Sequence, residues 1–195
     1  MQPQELRTLK ILEAVEQEEP PSQRELARRL NISLGLVNSF IKRLANKGYF
    51  KVTTIPKNRV KYMLTAKGMA EKTRLTYEYI QYSLFFYKDA RQRLKALFRH
   101  LESSGVRKVV FFGVSDLAEI AYLSLAETGI RLAAVVDEKT TKEQFLGHRI
   151  RLPEELSGLD CDKIIITAAD HSQLDMVALK NAGIPADKIE QVDFS

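Results

Sequence analysis

The sequence has little cysteine and no long apolar segment, and these two absences limit what the chain can be. It contains one cysteine, Cys161, in 195 residues, which excludes a disulfide framework and a cysteine-rich metal site. No apolar run approaches the roughly 20 residues that a transmembrane helix needs. The first residues, MQPQELRTLK, lack the apolar core of a secretory leader. We therefore expect a cytoplasmic protein with no membrane partner.

The sequence also lacks the motifs that would indicate an enzyme. It has no clustered metal ligands, no nucleophile elbow and no P-loop motif. His100 and His148 have no evident partner, and His171, beside Asp170, is more typical of a helix cap than of an acid–base pair. We therefore predict no catalytic residues and no metal site.

What the chain does contain is positive charge concentrated in its first part. Residues 21–75 carry thirteen Lys and Arg against two acidic residues, a net charge of +11, although the whole chain nets +5. Residues 106–195 carry ten Lys and Arg against fifteen acidic residues, a net charge of −5. The length allows two small domains. Of the two, only the first has the charge to attract a polyanion.

Two short helices joined by a tight turn are predicted within residues 22–48. Ser22 is suited to cap the first helix, and Glu25, three residues later, completes a capping box. Ser33 is suited to cap the second. The second helix has apolar residues at spacings of four and three, which predict its buried face: Val37, Ile41 and Leu44. This arrangement is typical of a helix-turn-helix.

A basic hairpin follows these helices. Residues 49–53 and 60–64 are rich in aromatic and β-branched residues and read as two strands, separated by a turn that contains Pro56 and Asn58. The combination predicts a winged helix, whose second helix enters the major groove and whose hairpin meets phosphates or the minor groove. Some winged helices bind proteins instead, but the basic charge favours double-stranded DNA. The predicted DNA contacts are Gln23, Arg24, Ser33, Gly35, Asn38, Ser39, Lys42, Lys57, Asn58, Arg59 and Lys61.

The first half of the chain also resembles a known family. The runs Ser-Gln-Arg-Glu-Leu from residue 22, Ser-Leu-Gly-Leu-Val-Asn from residue 33 and Leu-Thr-Ala-Lys-Gly from residue 64 are similar to those of MarR-type regulators associated with exopolysaccharide gene clusters. That resemblance implies transcriptional control of surface-polysaccharide genes. Such regulators often end after the long helix, whereas this chain continues for about ninety residues.

A long helix is predicted after the hairpin, because Thr65 can cap a stretch that no proline interrupts as far as residue 104. Its apolar residues recur at spacings of three and four: Leu75, Tyr79, Tyr82, Phe86, Ala90, Leu94, Leu97 and Leu101. The helix is either buried within its own chain or paired with a second copy, as in MarR-like regulators. We favour a homodimer, because an isolated helix of this kind would expose a large apolar patch. The predicted segments are a winged helix-turn-helix at 1–65, a dimerisation helix at 66–104 and an effector-sensing domain at 105–195.

The last segment alternates apolar runs with helical patterns. Buried strands are predicted at 106–112, 132–136, 163–167 and 189–192. Alternating strands and helices of this kind predict a small doubly wound parallel sheet, so this domain is of the α/β class and the chain is α+β overall.

A ligand of such a sheet lies at the carboxyl ends of its strands. Gly113, Ser115 and Ala118 match a dinucleotide fingerprint incompletely, because serine replaces the second glycine. The Ser115 hydroxyl is positioned to donate to a phosphate, whereas Asp116 would repel one unless it points away. Asp137 follows Gly113 by 24 residues, about where an acidic side chain binds a ribose. The predicted ligand contacts are Gly113, Val114, Ser115, Asp116, Asp137, Thr167, Ala168 and Ala169.

The same segment resembles the nucleotide-sugar-binding half of PglD-type sugar acyltransferases in its GVSDLAEIA turn, its VVDE strand end and its RLPEEL segment. The resemblance implies a nucleotide or nucleotide sugar as ligand, held by Gly113, Ser115 and Asp137. The alternative is a domain kept for packing or dimerisation alone.

These observations predict a regulator that binds DNA as a homodimer and senses a nucleotide-type effector. One rival is an NAD(H)-sensing repressor of the Rex kind, which the incomplete fingerprint disfavours. Another is a nucleotide-sugar-modifying enzyme with a DNA-binding arm, which ligand turnover would distinguish. The operator, the effector and the direction of regulation do not follow from the sequence.

Overall fold

The chain divides into two compact units, Met1–Phe85 and Phe86–Ser195. The computed structural model describes residues 1–17, 20–55, 59–138, 140–168, 179 and 183–192, with the side chains of 52–55 and 59–61 left out. The division falls inside one long helix. The predicted segments at 1–65, 66–104 and 105–195 therefore remain a functional prediction rather than a description of the compact units.

The first unit is a winged helix-turn-helix, which confirms the predicted fold. Its elements are α1 (Pro3–Glu16), α2 (Gln23–Leu30), α3 (Leu34–Asn46), β1 (Phe50–Ile55), β2 (Arg59–Leu64) and the first part of α4 (Ala66–Ser103). The strands β1 and β2 pair antiparallel, from Phe50 opposite Leu64 to Ile55 opposite Arg59. Both predicted serine caps are present, since Ser22 accepts from the Glu25 N–H and Ser33 from the Leu36 N–H. The predicted capping box is not completed, because the Glu25 carboxylate accepts from Arg29 at 2.5 Å instead of from the Ser22 N–H.

One core joins the helices of this unit to the base of the hairpin. Its buried residues come from α1, α2, α3, β1 and α4: Leu9, Ile11, Leu12, Ala14, Val15, Leu26, Val37, Phe40, Ile41, Leu44, Phe50 and Leu75. The start of α4 is fixed against the hairpin, because the Thr65 hydroxyl donates to the Gly48 carbonyl at 2.6 Å and accepts from the Gly68 N–H at 3.1 Å. A β-carbon at Gly68 would lie 1.8 Å from the Tyr49 carbonyl oxygen, so only glycine permits this contact.

The second unit contains a six-stranded sheet. Its strands are β3 (Lys108–Phe112), β4 (Arg131–Val136), β5 (Gln144–Phe145), β6 (His148–Arg151), β7 (Lys163–Ile166) and β8 (Ile189–Gln191). The order across the sheet is β5-β6-β4-β3-β7-β8, and the pairs from β6 to β8 are parallel. The strand order reverses at β3, so the crevice between the carboxyl ends of β3 and β7 is the switch point of a Rossmann-like sheet.

Both faces of this sheet are covered, as the continuous apolar strands predict. Val109 and Phe111 of β3 join one core with α5 (Asp116–Leu125) and with the second half of α4, where Phe98 stacks on Phe111 with ring centroids 6.3 Å apart. Val110 and Phe112 face a second core, which includes Leu156 of a 3-10 turn at Pro153–Gly158.

Three features differ from the pattern expected from sequence. Residues 144–151 form an antiparallel hairpin of β5 and β6, which adds one antiparallel strand to the edge of the sheet. Residues Pro153–Gly158 form a 3-10 turn, which the alternation of strands and helices does not specify. The apolar residues of α4 do not form one continuous stripe toward a partner: Leu75 is buried in the first unit, and Ala90, Leu94 and Leu101 are buried in the second. Between β7 and β8, residues 169–178 and 180–182 lie outside the described residues.

Candidate functional site

The outer face of α3 is the candidate DNA-contacting surface. Gly35, Ser39 and Lys42 follow one another at spacings of four and three on the side of the helix opposite the buried residues, and all three are exposed. A β-carbon at Gly35 would have no heavy atom within 4 Å, so the backbone of the first turn is open to an approaching molecule. Ser33 caps this turn. Three of the residues predicted to contact DNA therefore lie on one exposed face of α3.

Asn38 lies beside this face rather than on it. Its side chain is half-buried, and its Oδ1 atom is buried without a hydrogen-bond partner among the described residues. An unpaired buried carbonyl of this kind costs about 1–3 kcal/mol. Reading a base with this amide therefore requires the oxygen to become accessible, which spacing alone does not reveal.

Gln23 and Arg24 begin α2 and differ in their surroundings. The Gln23 Nε2 donates to the Tyr62 hydroxyl at 2.9 Å, which ties the start of α2 to strand β2. Tyr62 in turn packs edge-on against Phe50, with ring centroids 5.4 Å apart. Arg24 is exposed. Tyr62 is a positioning residue that sequence reasoning missed; its place in a strand facing α2 was the available signal.

The hairpin residues predicted to meet DNA are described only in part. Lys57 and Asn58 lie outside the described residues. Arg59 and Lys61 are in β2, where their backbones pair with Ile55 and Thr53. Their contribution to DNA binding rests on the charge of the sequence.

The turn after β3 is the centre of the candidate ligand site. Gly113 has φ of +100°, and its N–H donates to the Val136 carbonyl at 2.8 Å. A β-carbon there would lie 2.6 Å from Cα, Cβ and N of Ala168, which follows β7. The glycine is therefore needed for the contact between two loops at the switch point. This is a different requirement from the close phosphate approach that the fingerprint implies.

Ser115 and Thr167 connect the same two loops. The Ser115 hydroxyl donates to the Thr167 carbonyl at 2.6 Å and accepts from the N–H groups of Leu117 and Ala118 at 3.1 and 3.4 Å. The Thr167 hydroxyl is fully buried and donates to the Gly113 carbonyl at 2.6 Å. Ser115 is thus the N-cap of α5, and it occupies amides that a phosphate would otherwise use.

Asp137 follows strand β4 and borders the turn after β3. Its carboxylate accepts from the Val114 N–H at 2.6 Å and from the Thr140 N–H at 2.8 Å. The side chain expected to bind a ribose therefore holds two loops together in this structure. Asp116 is exposed at the start of α5, Ala168 touches the Gly113 turn, and Ala169 lies outside the described residues.

The middle of α4 exposes apolar side chains on every side. Eight large hydrophobic residues between 77 and 87 are exposed, with Phe85 at 70% and Tyr77 at 64%; the others are Tyr79, Ile80, Tyr82, Leu84, Phe86 and Tyr87. We call this stretch the aromatic segment. It contains three of the residues assigned to the predicted dimer contact, namely Tyr79, Tyr82 and Phe86.

The described residues hold neither a metal-ligand cluster nor a membrane-spanning helix. They contain no group of three or more His, Cys, Asp or Glu side chains placed to hold a metal ion. Within the same residues, no helix is long and apolar enough to cross a membrane.

Two family models match separate parts of the chain. Residues 5–51 match the model described as winged helix-turn-helix DNA-binding, which covers the three helices just described and the start of the hairpin. Residues 105–190 match the model described as C2185-like, N-terminal, which covers the sheet of the second unit. The first match agrees with the winged helix-turn-helix fold of the N-terminal unit. No curated protein matches the chain.

Two solved structures are similar to the chain. The zinc-dependent MarR family transcriptional regulator AdcR in the Zn(II)-bound state is 27% identical over 44% of this chain and 60% of its own, with a TM-score of 0.36. PigF with SAH is 16% identical over 84% of this chain and 63% of its own, with a TM-score of 0.29. The chain thus spans less than two thirds of either solved chain.

Proposed function

We propose that this chain is a homodimeric transcriptional regulator that binds double-stranded DNA and responds to a small molecule. The observation that carries the proposal is the outer face of α3, where an open backbone at Gly35 precedes exposed Ser39 and Lys42. A helix of this kind presents its first turns to base edges in the major groove. The surrounding charge of +11 over residues 21–75 supplies attraction to phosphates.

The hairpin completes this interface by contacting the DNA backbone. Arg59 and Lys61 lie on β2, close to the basic turn that carries Lys57. Such contacts position the protein without reading sequence. Gln23 supports the arrangement from behind, because its bond to Tyr62 fixes β2 relative to α2.

Dimerisation through the aromatic segment gives the regulator its symmetry. Eight exposed hydrophobic side chains lie within eleven residues of one helix, and exposed apolar surface of this kind marks an interaction site. A second copy covers it most simply, because a two-fold axis brings identical apolar surfaces together. Two winged helices related in this way fit an inverted repeat in DNA.

The second unit binds the effector at the carboxyl ends of β3, β4 and β7. The Asp137 carboxylate accepts from the Val114 N–H at 2.6 Å, as an anionic ligand would. A nucleotide-type ligand binds by exchange: its phosphate takes the loop amides, and its ribose hydroxyls donate to the released carboxylate. A nucleotide sugar fits the resemblance to PglD-type proteins, and NAD(H) is the second candidate because Ser115 interrupts the fingerprint.

The resemblance to exopolysaccharide-associated MarR-type regulators suggests which genes are controlled. A regulator of surface-polysaccharide genes that senses a nucleotide sugar would respond to the precursor of its own pathway.

Binding of an effector is tested by calorimetry with UDP-sugars, NAD(H) and coenzyme A. Asp137→Asn, which keeps the shape but removes the charge, should bind any true ligand more weakly than the wild type. Absence of binding by every candidate would remove the effector from the proposal.

The proposed DNA binding can be tested without knowing the operator sequence. A fluorescent duplex of arbitrary sequence should bind the wild type with an affinity that falls steeply as salt rises. Replacing both Arg59 and Lys61 by alanine should reduce the slope of log K against log salt by about two for each protomer that contacts the DNA, or about four for the dimer. Lys142→Ala, an exposed change in the acidic unit, is the matched control and should leave the slope unchanged. Equal slopes for all three proteins would refute the hairpin contact.

A further inference from the structure

The first turn of α3 carries two exposed leucines beside the open glycine. Leu34 is 38% exposed and Leu36 is 39% exposed, and they flank Gly35 in sequence. Neither lies in the core of the first unit, whose α3 members are Val37, Phe40, Ile41 and Leu44. Packing within the unit therefore does not explain two apolar side chains at these positions.

Helix geometry places the leucines on the two edges of the outer face. With about 100° between successive residues, Leu34 and Leu36 project to opposite sides of Gly35. Leu34 also lines an open cleft, where both apolar and polar side chains adjoin it: Pro20, Pro21, Ser22, Gln23, Arg24 and Tyr62. Leu36 lies on the same side of the helix as Arg43, seven residues later. Each leucine therefore exposes an apolar side chain beside polar or basic residues of α2 or α3.

This composition matches one feature of the major groove. Only thymine presents a methyl group there, and that methyl is read by apolar contact, whereas the other base edges offer hydrogen-bond donors and acceptors. The bare backbone at Gly35 allows the helix to approach the bases closely, which short-range apolar contact requires.

We infer that Leu34 and Leu36 are specificity-determining residues that read thymine methyl groups in the DNA site. The inference rests on the proposed function, because it assumes that α3 enters the major groove. It goes beyond that function in naming the base and the atom that the first turn recognises. The polar residues Ser39 and Lys42, farther along the same face, then read hydrogen-bonding edges.

The test uses a duplex enriched from a random pool by the wild-type chain. Each thymine in turn is replaced by deoxyuridine, which removes the methyl and leaves the pairing edge intact. At the contacted positions, loss of one buried methyl should weaken wild-type binding about three- to five-fold. Leu34→Ala and Leu36→Ala should each bind the thymine duplex more weakly and lose sensitivity to deoxyuridine at one position. Leu123→Ala, the same substitution at an exposed leucine of α5 in the other unit, is the control.

The outcomes separate the two proposals. If the wild type enriches a sequence but deoxyuridine has no effect at any position, the methyl reading is overturned while DNA binding stands. A deoxyuridine penalty that is equal in the wild type and both leucine variants also overturns it, because such a penalty reports duplex shape. If no sequence is enriched and no duplex binds, the proposed function fails and this inference fails with it. Thermal unfolding of both leucine variants should match the wild type, since both side chains are exposed.

Discussion

Replacing Gly113 by alanine should destabilise the second unit much more than an equivalent change at an open glycine. Gly113 has φ of +100°, and a non-glycine residue held in such a conformation costs on the order of 1–3 kcal/mol. The new β-carbon would also lie 2.6 Å from three atoms of Ala168, two of them backbone. Overpacking of this kind adds about 1–3 kcal/mol. The sum, roughly 2–6 kcal/mol, is a large part of the 5–15 kcal/mol that stabilises a typical domain.

Gly105 supplies the matched control for this prediction. It has φ of +91°, and a β-carbon there would have nothing within 4 Å. Gly105→Ala therefore incurs the backbone strain without the clash. Urea unfolding followed by circular dichroism should show a lower midpoint for Gly113→Ala than for Gly105→Ala, by the equivalent of about 1–3 kcal/mol. Equal midpoints would refute the claim that the Gly113 turn is shaped by its contact with Ala168.

Three further changes test other parts of the account. Lys42→Ala should weaken binding to a selected DNA site by about 1–3 kcal/mol and relax its base preference at one position, measured by anisotropy; a uniform loss across sequences would indicate a phosphate contact instead. Phe85→Glu should yield monomers in light scattering, whereas Leu123→Glu, an equally drastic change at an exposed leucine of α5, should not; a dimer in both would place the contact elsewhere. Asp162→Asn should lower stability at neutral pH, because the Arg107 and Lys108 N–H groups hold the pKa of that carboxyl below its usual range. A lowered folded-state pKa stabilises above the unfolded pKa, so the difference between variant and wild type should disappear as pH falls through the folded pKa, and a pH-independent difference would contradict this.

Local patterns were sufficient to predict the helix-turn-helix. Ser22 and Ser33 cap α2 and α3 as expected, because a capping serine acts within three residues of its own position. The buried strands of the second unit were predictable for a similar reason. A strand covered on both faces is apolar throughout, as Val109 to Phe112 are.

The surroundings of α4 could not be predicted in the same way. Leu94 and Tyr82 recur with the same helical spacing, yet Leu94 is buried under the sheet and Tyr82 is 49% exposed. Periodicity identifies an apolar face but not what covers it. The second half of α4 is covered by β3 and α5, and no spacing within α4 itself reveals that cover.

The location of the candidate ligand site could be predicted from the sequence, but the hydrogen-bond partners of its residues could not. Gly113 and Asp137 do lie at neighbouring loops, because the carboxyl ends of parallel strands meet at one edge. Their partners depend on distances of a few ångströms, and no spacing rule gives them. Asp137 meets Val114, and Ser115 meets Thr167, so the groups expected to bind a ligand instead hold the loops. The burial of the Asn38 Oδ1 atom could not be predicted from spacing for the same reason.

Selection from a random pool of DNA duplexes tests the central claim most directly. The full chain, incubated with the pool at moderate salt, should enrich an inverted repeat whose half-sites lie about 10–10.5 base pairs apart, or a multiple of that, centre to centre. Each half-site should contain thymine at the positions that face the first turn of α3. The Phe85→Glu variant should enrich the half-site weakly or not at all. Failure of the wild-type chain to enrich any sequence over the input pool would contradict the account.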